Sequence, residues 1–344
     1  MKRKKWLAVL LAGAVCIGMM AGCDNKPLNA QEDTVAKSET AYQGELSLVI
    51  SHKDEYLGTL DQAVKASAEA RGCTVNSVDC ADDMDKQIEN VQAAMENGAR
   101  AILVVLVDDT RADEVVKAAG DAKVVFVNRI PQDTSILDQD HIYVGSDEEI
   151  SGIYQGEMLA DSFKKKGKDS VSYLMLEGTE GLVHTEKRSE GVLKALDNAG
   201  IKATAAAEPV HCGYDRAKAM EQMTLMLANG VDMSKVDCII ANNDAMALGV
   251  IESLRQNSID MSHIVVVGID GTNAGLQAVS DGSMLATVYQ NAVGQASASV
   301  QAAINLASGK YAAENIDFEV DADNEHIIWV PFEKITADTV GEYY

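Results

Sequence analysis

The sequence is poor in positive charge. Its 344 residues hold 29 Lys and Arg against 53 Asp and Glu, a formal net charge of -24. Residues 1–22 carry four of those cations and no acid, so the chain beyond them stands at -28. That sign excludes nucleic acid as a partner, because phosphate contacts need a basic footprint. It equally excludes adhesion to anionic lipid through a basic face. Familiar catalytic motifs are missing too. After the first apolar run the chain reads His52-Lys53-Asp54-Glu55-Tyr56, with no Gly-rich phosphate loop, and neither His-Glu-x-x-His nor Gly-x-Ser-x-Gly occurs. The six cysteines have no metal-like spacing, so neither a metal nor a cofactor is expected. A pair of carboxylates for glycoside hydrolysis needs matched environments and separation. The sequence supplies neither, which leaves an enzyme as the minority reading.

What is present is an ordinary globular composition, 47% apolar, on a chain long enough for two domains. Short β-rich runs alternate with amphipathic segments. Strands are expected at Leu46–Ile50, Thr74–Val78, Ala101–Val107, Val124–Val127 and Ile142–Val144, with helices at Gly58–Arg71, Asp83–Asn97 and Asp113–Ala119. The pattern restarts with a helix at Glu148–Lys165 and a strand at Ser170–Leu176. Further helices are expected at His184–Ala199, Asp215–Ala228, Ala245–Gln256 and Asn291–Ala307, and strands at Ala203–Ala206, Cys238–Ala241, Ile264–Val267 and Leu285–Val288. Runs apolar throughout, rather than alternating, indicate parallel strands covered on both faces. The fold class is α/β, as two Rossmann-like units.

The N-terminus reads as an address. Residues 2–5 are basic, Trp6 to Ala21 is almost wholly apolar, and the stretch ends Met20-Ala21-Gly22-Cys23. Charge, a short apolar segment and small residues make a signal peptide; a membrane span needs about 20 apolar residues. The end of the segment resembles the lipobox of bacterial lipoproteins. That implies cleavage after Gly22, a lipid anchor on Cys23 and a body on the extracytoplasmic face of the membrane. The plainer alternative is an uncleaved anchor with an incidental cysteine. Residues 23–44 are polar and aperiodic, as a flexible tether would be. Cys73 with Cys80, or Cys212 with Cys238, are open to pairing in that compartment or to burial as thiols, and no bridge is expected.

Polar residues stand where apolar strands end: Asp54, Asn128, Asn243 and Asp270. Each could cap a following helix, but recurrence in both units points to a shared cleft beyond the carboxyl ends of the strands. With Arg188 and Gln290 they form a set suited to a neutral polyol: carboxylates and amides for hydroxyls, a guanidinium fork, and Tyr56 and Tyr214 as ring faces. The plainer reading makes the tyrosines core and Arg188 a surface partner of Glu186 and Glu190.

Four segments sharpen this: Val127-Asn128-Arg129, Tyr143-Val144-Gly145-Ser146-Asp147, Ala241-Asn242-Asn243-Asp244-Ala245-Met246-Ala247 and Val267-Gly268-Ile269-Asp270-Gly271. Through them the chain resembles the periplasmic-binding-protein type I family, in particular its galactose/glucose- and ribose-binding branch, from about Leu46 to Glu333. Sugar-responsive repressors share the fold but normally begin with a DNA-binding helical module; here a lipobox-like signal occupies that place, and the charge balance is wrong for DNA. The resemblance implies two lobes, 45–146 with 291–322 and 147–290 with 323–344, joined by three crossovers near Ser146, Gln290 and Ala322. It further implies a monomer that closes on one monosaccharide and delivers it to an ABC permease, with a chemoreceptor or sensor kinase as a second partner; the alternative is a sensory lipoprotein that binds a sugar or autoinducer in the same cleft without a permease. By motif position it assigns ligand contacts to Asp54, Tyr56, Asn128, Arg129, Arg188, Tyr214, Asn243, Asp270 and Gln290. His184 departs from the glucose/galactose pattern, and either bonds the sugar or caps a helix. Gln290 follows the ribose branch, so hexose and pentose both stay open. The stretch Lys164–Ser170 is too rich in Lys for the family's calcium loop.

Overall fold

The computed structural model describes residues 42–344. The signal segment 1–22, Cys23 and nearly all of the tether at 23–44 lie outside the described residues. Among the described residues, no helix is long and apolar enough to cross a membrane.

Strand β3 (Ala101–Val105) shows why the chain folds as it does. All five of its residues are apolar and buried. Successive side chains in a strand point to opposite faces. Ala101, Leu103 and Val105 accordingly join one core, and Ile102 and Val104 join another. A strand apolar on both faces needs cover on both, which parallel pairing through helical crossovers supplies. β1 (Glu45–Ile50), β2 (Thr74–Asp79), β4 (Lys123–Val127) and β5 (His141–Gly145) extend this parallel sheet. Helices α1 (Glu55–Glu69), α2 (Met84–Glu96) and α3 (Ala112–Ala119) make the connections.

The same plan builds a second sheet. Its strands are β6 (Ser170–Glu177), β7 (Lys202–Ala205), β8 (Val210–His211), β9 (Cys238–Ala241), β10 (Val265–Val267) and β11 (Ala286–Gln290). Helices α4 (Glu148–Lys165), α5 (Val183–Asn198), α6 (Arg216–Ala228), α7 (Asp244–Gln256) and α8 (Asn273–Ser280) alternate with them. β9 again divides its side chains, Ile239 and Ala241 to one core and Cys238 and Ile240 to the other.

Three late strands complete the sheets: β12 (Glu319–Val320), β13 (Ile327–Trp329) and β14 (Phe332–Thr336). The first sheet runs β12-β13-β5-β4-β3-β1-β2, and the second β14-β11-β10-β9-β6-β7 with β8 also on β6. The chain therefore passes between sheets after β5, after β11 and between β13 and β14. After β11, helix α9 (Ala292–Ala307) returns to the first sheet, where Ala296, Val300 and Ala303 share a core with Leu48 and Leu103.

Some expectations need correction. The last passage lies at Val330 and Pro331, not near Ala322, because β13 pairs in parallel with β5 and keeps the chain on the first sheet through Trp329. Helix α1 begins at Glu55 rather than Gly58, since Asp54 caps it. Helix α8 and strands β8, β12, β13 and β14 were not foreseen. Cys73, Cys80, Cys212 and Cys238 are all free and buried.

Candidate functional site

The carboxyl ends of both sets of strands meet at one cavity. It is lined by Asp54, Tyr56, Leu57, Asn128 and Arg129 from the first lobe and by His184, Arg188, Tyr214, Asn243, Asp270 and Gln290 from the second. The structure thus brings all ten sequence-selected residues together. The empty space is about 300 Å³, open mouth included.

Local structure places each group. Asp54 and Asn243 are helix caps as well as cavity residues: Asp54 Oδ1 accepts from Leu57 N at 2.7 Å, and Asn243 Oδ1 accepts from Met246 N at 2.9 Å. The capping alternative and the cleft alternative are both true of them. Asn128 and Asp270 are not caps. Asn128 has φ 67° and Asp270 φ 117°, and Tyr214 has φ 61°. Left-handed backbone at non-glycine residues costs free energy and gathers at functional sites.

Around Asp54 a small charged set forms. His52 lies between Asp54 Oδ2 at 3.3 Å and Asp82 Oδ1 at 2.8 Å. Burial disfavours its charge, but the hydrogen bonds to both carboxylates win and raise its pKa to about 9. Arg129 is anchored by donating to Leu106 O at 2.8 Å.

Arg188 organises the second lobe's share. Its Nε donates to Glu148 Oε2 at 2.6 Å, its Nη1 to Asn242 O at 2.7 Å and its Nη2 to Gln290 Oε1 at 3.4 Å. Asp270 Oδ1 lies 3.7 Å from Nη1, and the guanidinium carbon is 5.7 Å from the Tyr214 ring centroid. Burial opposes the arginine's charge, and Glu148, Tyr214 and Asp270 more than restore it. Burial also pushes Glu148 and Asp270 upward against the pull of Arg188, with Asp244 adding to the rise of Asp270.

His184 is decided by its partner. Its Nε2 is 3.1 Å from Asn128 O, and a carbonyl only accepts, so the proton is on Nε2. Burial, with Arg188 and Arg129 near, holds the ring's pKa well below its ordinary value. The neutral ring leaves Nδ1 as a bare acceptor, and this atom and the Tyr56 hydroxyl are buried without a protein partner.

Sequence reasoning missed four residues that hold this set. Glu148 bonds Arg188 and accepts from Gln290 Nε2 at 3.2 Å. Asn242 accepts from Gly178 N at 3.0 Å and from Arg188. Asp244 accepts from Thr287 Oγ1 at 2.6 Å and Thr272 N at 2.9 Å, and burial pushes it up to about 7. Gln295 accepts from Asn128 Nδ2 at 3.3 Å and donates to Ser146 Oγ at 3.0 Å. Among the described residues, no group of three or more His, Cys, Asp or Glu is arranged to hold a metal ion.

Residues 47–311 match the model of the periplasmic binding protein domain. The chain belongs to that family. The putative rhizopine-binding protein of Rhizobium meliloti is 28% identical over 317 residues, 91% of this chain and 93% of its own. The D-galactose/methyl-galactoside binding periplasmic protein of Haemophilus influenzae is 29% identical over 269 residues, 75% and 78% of the two chains. Among solved structures, an ABC transporter solute binding protein from Bacillus halodurans with bound myo-inositol superposes with a TM-score of 0.76. It is 26% identical over 88% of this chain and 98% of its own.

Proposed function

We propose that this protein captures a monosaccharide or similar cyclic polyol between its lobes, on the extracytoplasmic side, and passes it to an ABC permease. The carrying observation is the composition of one cavity, to which both lobes bring polar and aromatic side chains in a donor–acceptor mixture. Arg129, Arg188 and three amides offer donors; Asp54, Asp270 and His184 Nδ1 offer acceptors; Tyr56 and Tyr214 offer ring faces. A neutral polyhydroxylated ring uses both kinds of partner at once. The relative named for galactose and the neighbour holding myo-inositol support this class of ligand.

Binding to both lobes favours the closed arrangement, since a ligand shifts an equilibrium by its differential affinity for the two states. No covalent step is assigned to the cavity, and transport energy would come from the permease. The lipobox-like end at Cys23 supports a lipid anchor. Isothermal calorimetry of the detergent-solubilised full chain against hexoses, pentoses and myo-inositol tests the reading. Saturable binding of one of them is expected, and no binding across the panel would overturn it.

A further inference from the structure

Helix α5 starts without a cap of its own. The residue before it is Leu182, whose side chain makes no capping hydrogen bond. Such a helix leaves its first N–H groups without partners unless something else supplies an acceptor. Here the acceptor comes from the opposite lobe. Asp109, in the turn after β3, takes a hydrogen bond from Val183 N on its Oδ2 at 2.8 Å. The next residue, His184, also reaches across, to Asn128 O at 3.1 Å. The first turn of α5 is thus bound twice to the first lobe, and the same helix carries Arg188 one turn on.

We propose that Asp109 is a positioning residue for ligand capture: it supplies, across the cleft, the N-cap that α5 lacks, and so sets the helix bearing His184 and Arg188 only when the lobes meet. Three further observations support this. Asp109 is 1% exposed, so its carboxylate is held and not waving at a rim. Its own backbone is fixed, because Asp109 O accepts from Gln132 N at 3.0 Å. Its second oxygen, Oδ1, is buried and takes no hydrogen bond from the protein, leaving Val183 N–H as the side chain's one protein donor. Separation of the lobes removes the cap and returns both groups to water, so the contact counts towards closure and not towards the stability of either lobe alone.

The proposal rests on the cleft being the ligand site, but its central test does not need the ligand. In the full-length protein, dyes on the exposed Lys86 and Glu221 positions, introduced as Lys86→Cys and Glu221→Cys, report the distance between lobes by energy transfer. Without sugar, Asp109→Ala is expected to shift the distribution towards longer distances and to speed hydrogen exchange at the Val183 amide. Asp109→Asn keeps one acceptor oxygen in nearly the same volume and is expected to recover most of both signals. For whichever sugar the wild type binds, affinity should fall about 10-fold in Asp109→Ala, the usual scale of a lost cap, and largely return in Asp109→Asn. Wild-type distances and exchange in Asp109→Ala would overturn the proposal, as would equal losses in the two variants. A wild type that binds no sugar overturns the capture reading alone, because the distance and exchange arms still decide the cap.

Discussion

Glu148 and Arg188 meet at 2.6 Å, 4% and 3% exposed, on two neighbouring helices. Bringing α4 and α5 close enough requires glycine. A Cβ on Gly152 would stand 2.2 Å from Arg188 O, and one on Gly191 would stand 2.5 Å from Glu149 O. The ion pair is therefore a product of backbone contact between helices, with cavity residue Arg188 on one side and an acid outside the cavity lining on the other.

Removing one member of that pair should be severe. A buried charge left without its partner costs about 3–5 kcal/mol. Glu148→Ala is expected to lower unfolding stability on that scale in urea denaturation and to abolish ligand binding. Glu148→Gln, which keeps an acceptor oxygen for Arg188 Nε, should lose less.

Gly152→Ala tests the helix contact separately. The added methyl meets backbone and not a flexible side-chain end, so α4 and α5 must move apart. Overpacking of this kind costs about 1–3 kcal/mol. Thermal unfolding should show the loss, and calorimetry a weaker ligand affinity through a displaced Arg188.

Asn243 has two jobs that substitution can divide. Asn243→Ala removes the cap of α7, about 1 kcal/mol, together with the amide at the cavity. Asn243→Ser retains a capping oxygen and shortens the reach. Stability measured by urea denaturation should return in the serine variant while binding stays reduced; parallel recovery of both would show that the amide does not touch ligand.

His52 makes stability depend on alkaline pH. Its pKa is raised to about 9 in the folded protein, against an ordinary 6.5. The folded state thus binds the proton more tightly, so its contribution is complete below about 6.5 and lost as pH rises through 9. The melting temperature of the wild type should fall across that window, and the fall should be smaller in His52→Asn.

Asp109 predicts a dependence of the same sign, but on affinity. Burial in the closed cleft raises it to about 6, Val183 N–H pulls it down, Asp108 adds to the rise, Arg129 opposes it and Glu186 on α5 adds again. A solvent-exposed carboxyl has its ordinary value of 3.8, so closure takes up a proton between the two. This group's contribution should tighten binding as pH falls from 6 towards 4, measured as the difference between wild type and Asp109→Asn.

Strands β3 and β9 were legible because their faces are both apolar, and Asp54 and Asn243 because a strand end followed by a cap has a local signature. Glu148 was not legible. At the start of α4, beside Glu149, it looks like any acid that favours a helix N-terminus; only the placement of α5 turns it inward to Arg188. Asp109 is hidden for the same reason, since its partner is a backbone N–H in the other lobe. The late strands β12 and β13 are two and three residues long, too short for periodicity to show, so the sequence pattern sets the last passage too early. The short α8 follows Asp270-Gly271-Thr272, where the turn residues mask its start.

Gln290 ends β11 and stands at the second passage between the sheets, yet its amide donates to Glu148 and accepts from Arg188 inside the cleft. The joint and a residue of the cavity wall are thus one and the same. A movement that swings the lobes about this passage also drags the amide paired with Glu148 and Arg188. In the proposed capture, hinge angle and hold on the ligand would therefore change together.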